Sequence, residues 1–258
     1  MKKDQVISLY DFTGEALRPW AEAGYQCFAY DIQHKPSPMG ELEPSLDLDW
    51  DSRFPLNGGN IFKIHADLYD ESVLMKIAGR HMNNAIFLSA FPPCTDLSSA
   101  GARWWKEKEK ENRLFQEFAR DKAVACMHLA DALDCPYYIE NPVGALSTLW
   151  RKPNHTFNPC DYGGYLPEND VHPDYPDYIP PRDAYRKKTC LWSGNRFQMP
   201  EINPVQYENL RYERKDPTKS GNFSPVHGRT GGKSLKTKNI RSATPRGFAR
   251  AVFKHNSH

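Results

Sequence analysis

The feature that most constrains how this chain folds is the alternation of short apolar, β-rich runs with helical segments in its first half. The apolar runs are typical of strands and lie at 6–10, 25–30, 61–65, 85–90 and 136–140. Short helices are predicted at 15–23 and 71–80. Because parallel strands need a crossover connection between them, this alternation predicts an α/β fold with a mixed, mostly parallel sheet.

The rest of the chain shows fewer periodic segments. A charged run at 106–113 continues into a segment in which Leu114, Phe118 and Leu129 recur at helical spacing, and this pattern predicts a helix that packs on the sheet. A short strand is predicted at 189–192 and a final helix at 244–254. Long loops or irregular regions are predicted where periodicity is lacking, at 33–60, 151–183 and 195–238.

Composition excludes several classes of protein. With 39% apolar and 26% charged residues, the chain of 258 residues has a globular rather than a disordered profile. It has no stretch of about 18 apolar residues and no signal-type segment at its start, which predicts a soluble, cytoplasmic protein without a membrane partner. The six cysteines form no Cys-x-x-Cys pair, so neither a disulfide scaffold nor a metal site is expected.

Charge is distributed unevenly along the chain. Residues 1–180 carry 17 Lys and Arg against 27 Asp and Glu, whereas residues 181–258 carry 17 against 5. A strongly basic region is typical of a surface that meets polyphosphate, so we expect the C-terminal part to contact nucleic acid. On charge alone, a solubilising basic tail is the alternative.

Polar and small residues follow each predicted strand. In open α/β sheets, ligands bind outside the carboxyl ends of the strands, so these residues are candidates for a site. Gly14, after the first strand, allows close approach of the main chain, and Asp31, after the second, is placed to hydrogen-bond a ribose diol. Asp67 and the segments 91–98 and 140–142 follow the next three strands. Taken singly, each of these signals is weak.

Four motifs stand in a particular order along the chain. They are Phe91-Pro92-Pro93-Cys94 with Ser98 close behind, Glu140-Asn141, Arg186-Lys187-Lys188, and Arg241-x-x-Thr244-Pro245-Arg246-x-x-Ala249-Arg250. This order resembles that of the DNA cytosine-C5 methyltransferase family, and the resemblance covers nearly the whole chain, from residue 11 to residue 250. It implies a Rossmann-like methyltransferase sheet with a small, irregular basic recognition lobe, S-adenosylmethionine as cofactor and double-stranded DNA as substrate.

The resemblance agrees with what methylation at C5 of cytosine requires. The C5 carbon becomes nucleophilic only after a nucleophile has added at C6, and a thiolate such as that of Cys94 does this well. The preceding prolines stiffen the loop, while Ser98 and the residues after it are expected to let the loop close over a substrate. A carboxylic acid that shares a proton with N3 eases the addition, and Glu140 suits this role. By resemblance, Arg186 holds O2 of the base or orients Glu140, and the base is flipped out of the duplex.

The resemblance also implies a set of cofactor contacts. Phe12 and Gly14 are expected to line the methionine and adenosine parts, together with Pro92. Asp31 is expected to hold the ribose and Asp67 the adenine amine. The chain departs from the family at Ala16, where the family has a second glycine, and at Ala184 and Lys188 in the third motif.

Between Trp192 and Arg241 the family places its target-recognition domain. Basic residues there, and Lys188 before it, are expected to contact DNA, while interleaved aromatic residues such as Tyr207 stack on bases. A flexible basic loop is the alternative. The residues assigned to DNA contact are Lys188, Arg211, Arg214, Lys215, Arg229 and Lys233.

The sequence therefore predicts a monomer with a catalytic and cofactor-binding domain at 1–192, a target-recognition region at 193–238 and a helix that returns to the catalytic domain at 239–258. The predicted activity is methyl transfer from S-adenosylmethionine to C5 of cytosine in DNA through a covalent adduct between Cys94 and C6. Three alternatives stay open: methylation of RNA such as tRNA, transfer of a bulkier group, and a non-catalytic nucleic-acid-binding relative.

Overall fold

The computed structural model describes residues 3–35, 49–50, 60–207, 210–212, 221–232 and 234–257. Its strands are β1 (Gln5–Leu9), β2 (Gln26–Asp31), β3 (Asp49–Trp50), β4 (Asn60–His65), β5 (Ala85–Ala90), β6 (Tyr137–Pro142), β7 (His155–Phe157), β8 (Thr189–Gly194), β9 (Leu210–Tyr212) and β10 (Gly221–Phe223). Its α-helices are α1 (Arg18–Glu22), α2 (Glu71–His81), α3 (Trp105–Glu111), α4 (Phe115–Ala132), α5 (Leu146–Leu149), α6 (Pro225–Arg229), α7 (Leu235–Ser242) and α8 (Arg246–Asn256). Most of the loop predicted at 33–60 lies outside the described residues.

Eight strands form one sheet in the order β3-β4-β2-β1-β5-β6-β8-β7. Neighbouring strands from β4 to β6 are parallel, whereas β3 is antiparallel to β4 and β8 is antiparallel to β6. The chain places β2 and β4 on one side of β1, and β5 and β6 on the other. Strand order therefore reverses at β1, and the crevice at the carboxyl ends of β1 and β5 is the usual ligand position. The predicted α/β fold with a mixed, mostly parallel sheet is confirmed, and it is compatible with a Rossmann-like fold.

The chain divides into two compact units. The first comprises Met1–Thr156, Thr189–Gln198 and Asn256–His258 and contains nearly all of the large sheet; the second comprises Phe157–Lys188 and Met199–His255. These boundaries differ from the predicted ones at 192 and 238. The segment 157–188, which was predicted as part of the catalytic domain, belongs to the second unit, and so does most of α8. Aromatic packing explains the grouping, since the ring of Phe157 stacks on that of Phe248 at 4.1 Å.

The charged run forms its own helix, α3, and the helix predicted after it is α4. Asn112 has an extended main chain, with φ −147° and ψ 105°, and its Oδ1 accepts a hydrogen bond from Leu114 N at 3.0 Å, which separates α3 from α4. The expectation that Leu114 and Phe118 pack on the sheet is wrong, since each is 52% exposed. Smaller side chains form most of the buried face of α4, namely Ala119, Ala123, Cys126, Leu129 and Ala130.

A fully buried histidine links α2 to β1 and β2. His81 Nδ1 lies 2.8 Å from Gln5 Oε1, and its Nε2 lies 2.7 Å from the hydroxyl of Tyr30. Because an amide oxygen only accepts hydrogen bonds, Nδ1 carries the hydrogen and Nε2 accepts from Tyr30. Burial, reinforced by the charge of Arg80, lowers the pKa of His81 to about 3. His81 is therefore a neutral structural residue.

We expect His81 to make the stability of the fold depend on pH. Below pH 6.5 the unfolded chain binds a proton on this imidazole, whereas the folded chain does not until about pH 3, so stability falls as the pH drops through this window. At about pH 5 the contribution of His81 to this loss is about 2 kcal/mol. Denaturant titrations of the wild type and of His81→Gln at neutral and acidic pH measure it. The variant should lose less stability; equal losses would contradict the assignment.

The second unit combines a small apolar core with buried polar pairs. The core consists of Ile179, Tyr185, Val226, Ile240 and Ala243. Arg246 Nη1 pairs with Asp170 Oδ1 at 2.7 Å, and both side chains are largely buried. Arg241 donates from Nε and Nη2 to the hydroxyl and carbonyl oxygens of Thr230. The Arg-x-x-Thr-Pro-Arg motif thus has a structural role.

The region 195–238 was predicted to be irregular. It contains β9, β10, α6 and the start of α7.

Candidate active site

The carboxyl ends of five parallel strands bring the sequence-predicted residues of the first unit to one edge of the sheet. In register, Leu9 of β1 lies opposite both Tyr30 of β2 and Ala90 of β5, and Ala90 lies opposite Ile139 of β6. The strand ends are therefore level. From β4 to β6, the predicted residues at or just beyond these ends are Asp67, Asp31, Phe12 with Gly14, Pro92 with Cys94, and Glu140.

A buried carboxylate shapes the turn after β1. Asp11 Oδ1 accepts hydrogen bonds from Gly14 N at 2.8 Å and from the Thr13 hydroxyl at 3.1 Å, while its Oδ2 accepts from the Ser8 hydroxyl at 2.8 Å. Burial raises the pKa of Asp11, and these hydrogen bonds lower it. Gly14 has φ +74°, the left-handed conformation that favours glycine. The protein itself therefore holds this turn in place.

The residues that follow Gly14 point into the protein. The carboxylate of Glu15, which is 1% exposed, accepts two hydrogen bonds from the Arg18 guanidinium, at 2.6 and 3.1 Å. Ala16, which replaces the second glycine of the family motif, is also buried. The departure from the family at this position therefore adds no side chain to the exposed face of the turn.

The turn after β2 contains residues that the sequence analysis missed. Gln33 N donates to Asp31 Oδ1 at 2.7 Å. Burial raises the pKa of Asp31, while hydrogen bonds from the main-chain and side-chain amides of Gln33 lower it. Among the described residues, Gln33 Oε1 is buried and has no hydrogen-bond partner, and Ile32 presents an apolar side chain that is 53% exposed. No sequence pattern marks a buried unsatisfied oxygen.

Contacts between the turns after β1, β2 and β4 form a continuous rim. The ring of Phe12 stacks on that of His34, with centroids 5.6 Å apart and an angle of 21°. His34 Nε2 lies 3.3 Å from Asp11 O, and His34 O lies 2.9 Å from His65 Nδ1. Asp67 is exposed at the β4 end of this rim. Phe12 and Asp67 thus belong to connected turns.

The segment after β5 forms a tight turn with Cys94 at its start. Leu97 N and Ser98 N both donate to Cys94 O, at 3.1 and 2.8 Å. Asn141, the residue after Glu140, donates from Nδ2 to Pro92 O at 2.9 Å, so the end of β6 holds the turn. This hydrogen bond couples the position of the predicted nucleophile to the strand that carries the predicted acid.

A close main-chain contact strengthens the same link. Ala145 N donates to Leu97 O at 2.7 Å, Ser99 N donates to Val143 O at 3.2 Å, and Ser98 forms a β-bridge with Gly144. The loop that the sequence predicts to be flexible is therefore held by hydrogen bonds as far as Ser99. The close approach depends on Gly144, because a Cβ atom there would lie 1.9 Å from Leu97 O.

Gly144→Ala should move the turn that carries Cys94. The added methyl group meets main-chain atoms of Leu97 and Ser98, so we expect a loss of about 1–3 kcal/mol in the free energy of unfolding and displacement of the turn. Gly79→Ala, at an exposed position of α2, is the matched control. A Cβ there meets nothing within 4 Å, and alanine favours helix. Denaturant titration and the alkylation rate of Cys94 report both effects. If Gly144→Ala matches the control in both its free energy of unfolding and the alkylation rate of Cys94, then Gly144 does not hold the turn in place.

Cys94 differs from the other cysteines in its accessibility. It is partly exposed, whereas Cys27, Cys126, Cys135, Cys160 and Cys190 are buried. Burial raises the pKa of the Cys126 and Cys135 thiols to about 12 and that of Cys160 to about 11. Since the thiolate is the nucleophile, these three thiols are inert at neutral pH. Of the six cysteines, Cys94 alone has the accessibility that a nucleophile needs.

Glu140 lies in the sheet itself, opposite Leu191 of β8 in register. The residue is partly exposed, but its Oε1 atom is shielded from solvent. The pKa of Tyr138 is raised mainly by burial of its side chain, and the negative charges of Asp11 and Glu140 raise it further. The Glu140 carboxylate therefore interacts electrostatically with the buried Tyr138 phenol, and at least one of its oxygens is shielded from solvent.

Arg186, the third predicted catalytic residue, belongs to the second unit and not to the unit that carries Cys94 and Glu140; the described residues predicted to contact DNA belong to the second unit as well. Arg186 is exposed, and its Nη1 donates to the Tyr207 hydroxyl at 3.3 Å while the guanidinium lies 5.5 Å from the Tyr207 ring centroid. Lys188 and Arg229 are exposed. The sequence analysis missed Lys236, whose Nζ lies 5.4 Å from the ring centroid of Tyr178. The Arg211 side chain and all of Arg214, Lys215 and Lys233 lie outside the described residues.

The turn after β2 offers groups that a nucleoside ligand could use, since Asp31 and the unsatisfied Gln33 Oε1 are acceptors and Ile32 presents an exposed apolar surface. Gly14 is buried, and a Cβ there would face Ile61 and Lys63 of β4, so it is the left-handed φ of this turn that favours glycine. Within the described ranges, no cluster of three or more His, Cys, Asp or Glu is placed to hold a metal ion, and no helix is both long and apolar enough to cross a membrane.

No protein-family model matches the chain, and no curated protein matches it either.

Proposed function

We propose that this protein transfers a methyl group from S-adenosylmethionine to C5 of cytosine in DNA. The observation that carries the proposal is the hydrogen bond from Asn141 to Pro92 O. It joins the turn bearing Cys94, the one cysteine of six that is not buried, to the strand bearing Glu140. A nucleophilic thiol and a partly shielded carboxylic acid on neighbouring strand ends are the two groups that activation of cytosine requires.

The proposed reaction begins with the Cys94 thiolate, which forms a bond between its sulfur and C6 of the cytosine ring. Glu140 holds a proton at N3, so that the electron pair displaced toward the ring is stabilised and C5 becomes nucleophilic. S-adenosylmethionine, when bound, would supply the methyl group to C5: the bond between methyl and the sulfonium sulfur would break with its electron pair staying on sulfur, so that S-adenosylhomocysteine is the leaving group. A base then removes the C5 proton, the C6–sulfur bond breaks, and Cys94 leaves as the thiolate, ready for another cycle.

Residues at the other strand ends support binding of the cofactor. In this proposal the turn at Gly14 lies against the methionine and adenosine parts, Phe12 and Pro92 line the same space, and Asp31 accepts hydrogen bonds from the ribose. Asp67, at the β4 end of the rim, serves the adenine amine. The crevice where strand order reverses at β1 is the usual ligand position in such sheets.

The second unit supplies the proposed contacts to DNA. Its exposed Lys188, Arg229 and Lys236 offer positive charge to phosphates, and the pair of Arg186 and Tyr207 offers a planar surface on which a base can stack. This use of the unit agrees with the excess of basic residues after position 180. Arg186 and the basic residues outside the described part of the chain keep the roles that the family resemblance implies.

The test is nucleoside mass spectrometry after incubation of the full chain with S-adenosylmethionine and unmethylated genomic DNA or unmodified tRNA. We expect deoxycytidine to gain the mass of one methylene group and to match 5-methyldeoxycytidine in retention. Methylation of cytidine in tRNA alone would replace DNA by RNA as the substrate. A protein that binds both nucleic acids and modifies neither would refute the catalytic proposal.

A further inference from the structure

We infer that Gln33 is a specificity-determining residue that accepts a hydrogen bond from one ribose hydroxyl of the adenosyl cofactor, beside Asp31. The inference rests on the proposed function, since it assumes that an adenosyl ligand binds at the end of β2. It goes beyond that function because it assigns two separate acceptors to this turn, the Asp31 carboxylate and Gln33 Oε1. A ligand must then carry both ribose hydroxyls to satisfy them. The sequence analysis gave the ribose to Asp31 alone.

The first observation is the unsatisfied oxygen itself. Gln33 Oε1 is buried and accepts no hydrogen bond among the described residues. A buried amide oxygen without a partner costs about 1–3 kcal/mol, so such atoms are rare in folded proteins, and a ligand donor is one kind of partner that satisfies them. A hydroxyl or amine donor on a ligand would recover this cost.

The second observation is that the glutamine is held in place by the carboxylate next to it. Its main-chain N donates to Asp31 Oδ1 at 2.7 Å, and its side-chain amide is a further hydrogen-bond partner that lowers the pKa of Asp31. The oxygen of the Gln33 side-chain amide can only accept hydrogen bonds. The turn therefore carries a carboxylate and an unsatisfied amide oxygen two residues apart in the sequence.

The chemistry of a ribose diol matches this pair. The 2′ and 3′ hydroxyls are neighbouring donors, and a carboxylate with an adjacent neutral acceptor takes one hydrogen from each. The exposed Ile32 side chain between Asp31 and Gln33 in the sequence adds an apolar surface, which suits the purine face of the same nucleoside. A ligand that lacks one hydroxyl would leave one acceptor buried and unpaired.

The experiment is titration calorimetry of S-adenosylhomocysteine and of its 2′-deoxy and 3′-deoxy analogues, with the wild type, Gln33→Leu and Gln206→Leu. Gln206 is an exposed glutamine of the second unit and serves as the matched control. Loss of one hydrogen bond is expected to weaken binding of S-adenosylhomocysteine to Gln33→Leu by roughly 3- to 10-fold. One of the two deoxy analogues lacks the hydroxyl that donates to Gln33, and the wild type and Gln33→Leu should bind that analogue with equal affinity. Gln206→Leu should bind all three ligands with the affinity of the wild type.

A structural role of Gln33 predicts different results. It would weaken all three ligands by the same factor and lower the stability of the unliganded protein, whereas removal of an unsatisfied oxygen leaves that stability unchanged or raised. Equal weakening for all three ligands, or none, overturns the inference while the proposed cofactor stands. If the wild type binds none of the three ligands, both the inference and the cofactor assignment are wrong.

Discussion

Cys94→Ser is expected to abolish methyl transfer, with a loss of at least roughly three orders of magnitude in kcat. A serine hydroxyl is almost entirely protonated at neutral pH and adds poorly to C6, whereas the thiol of Cys94 is the only one of six that the fold leaves accessible. The side chains are nearly equal in size, so the turn held by Asn141 is retained. The measurement is the rate of radiolabelled methyl incorporation into DNA.

Cys126→Ala is the matched control for this prediction. Cys126 is buried in α4, where it acts as a small apolar residue, so its loss should cost stability and change kcat by less than about twofold. DNA binding by Cys94→Ser should remain. If Cys94→Ser retains most of the activity, or if Cys126→Ala loses as much, then the nucleophile has been assigned to the wrong residue.

Glu140→Gln is expected to lower kcat by about 10²- to 10⁴-fold, because the amide keeps the shape of the side chain but has no proton to share with N3 of the base. The Asn141 tether is unaffected, so the affinity for DNA and for S-adenosylhomocysteine should change little. Single-turnover rates measured beside binding isotherms separate the two effects.

Glu71→Gln is the matched control for the Glu140 substitution. Glu71 is an exposed residue in the first turn of α2 with no predicted catalytic or binding role, and its substitution should leave the single-turnover rate unchanged. Should Glu140→Gln weaken DNA binding in proportion to its loss of rate, Glu140 would be a binding residue rather than the acid.

The sheet could be predicted from the sequence because its strands are short apolar runs with chemistry-bearing residues directly after them. The run at 85–90 matches β5 at both ends, and the residues after β1, β2, β4 and β5, with Glu140 near the end of β6, meet at one edge as parallel pairing requires. Periodicity correctly predicted α4 and the burial of Leu129, but Leu114 and Phe118, which recur at the same spacing, are exposed. A spacing pattern does not show which stripe of a helix is covered.

The contacts that define the candidate site could not be predicted, because they arise between residues far apart in the sequence. Asn141 and Pro92 are 49 positions apart, and their hydrogen bond depends on β5 and β6 being neighbours. The requirement for glycine at 144 arises from the approach of Leu97 O. Likewise, nothing in the sequence around Gln33 indicates that its side-chain oxygen is buried without a partner.

The most direct test of the central claim is covalent trapping on duplex DNA of random sequence in which 5-fluorocytosine replaces cytosine. Fluorine at C5 cannot be removed as a proton, so the enzyme stays attached to C6 after the methyl group has been transferred. We expect a denaturant-resistant complex that requires S-adenosylmethionine, with the nucleotide attached to the peptide that contains Cys94. Absence of a complex, or attachment at any other residue, would contradict it.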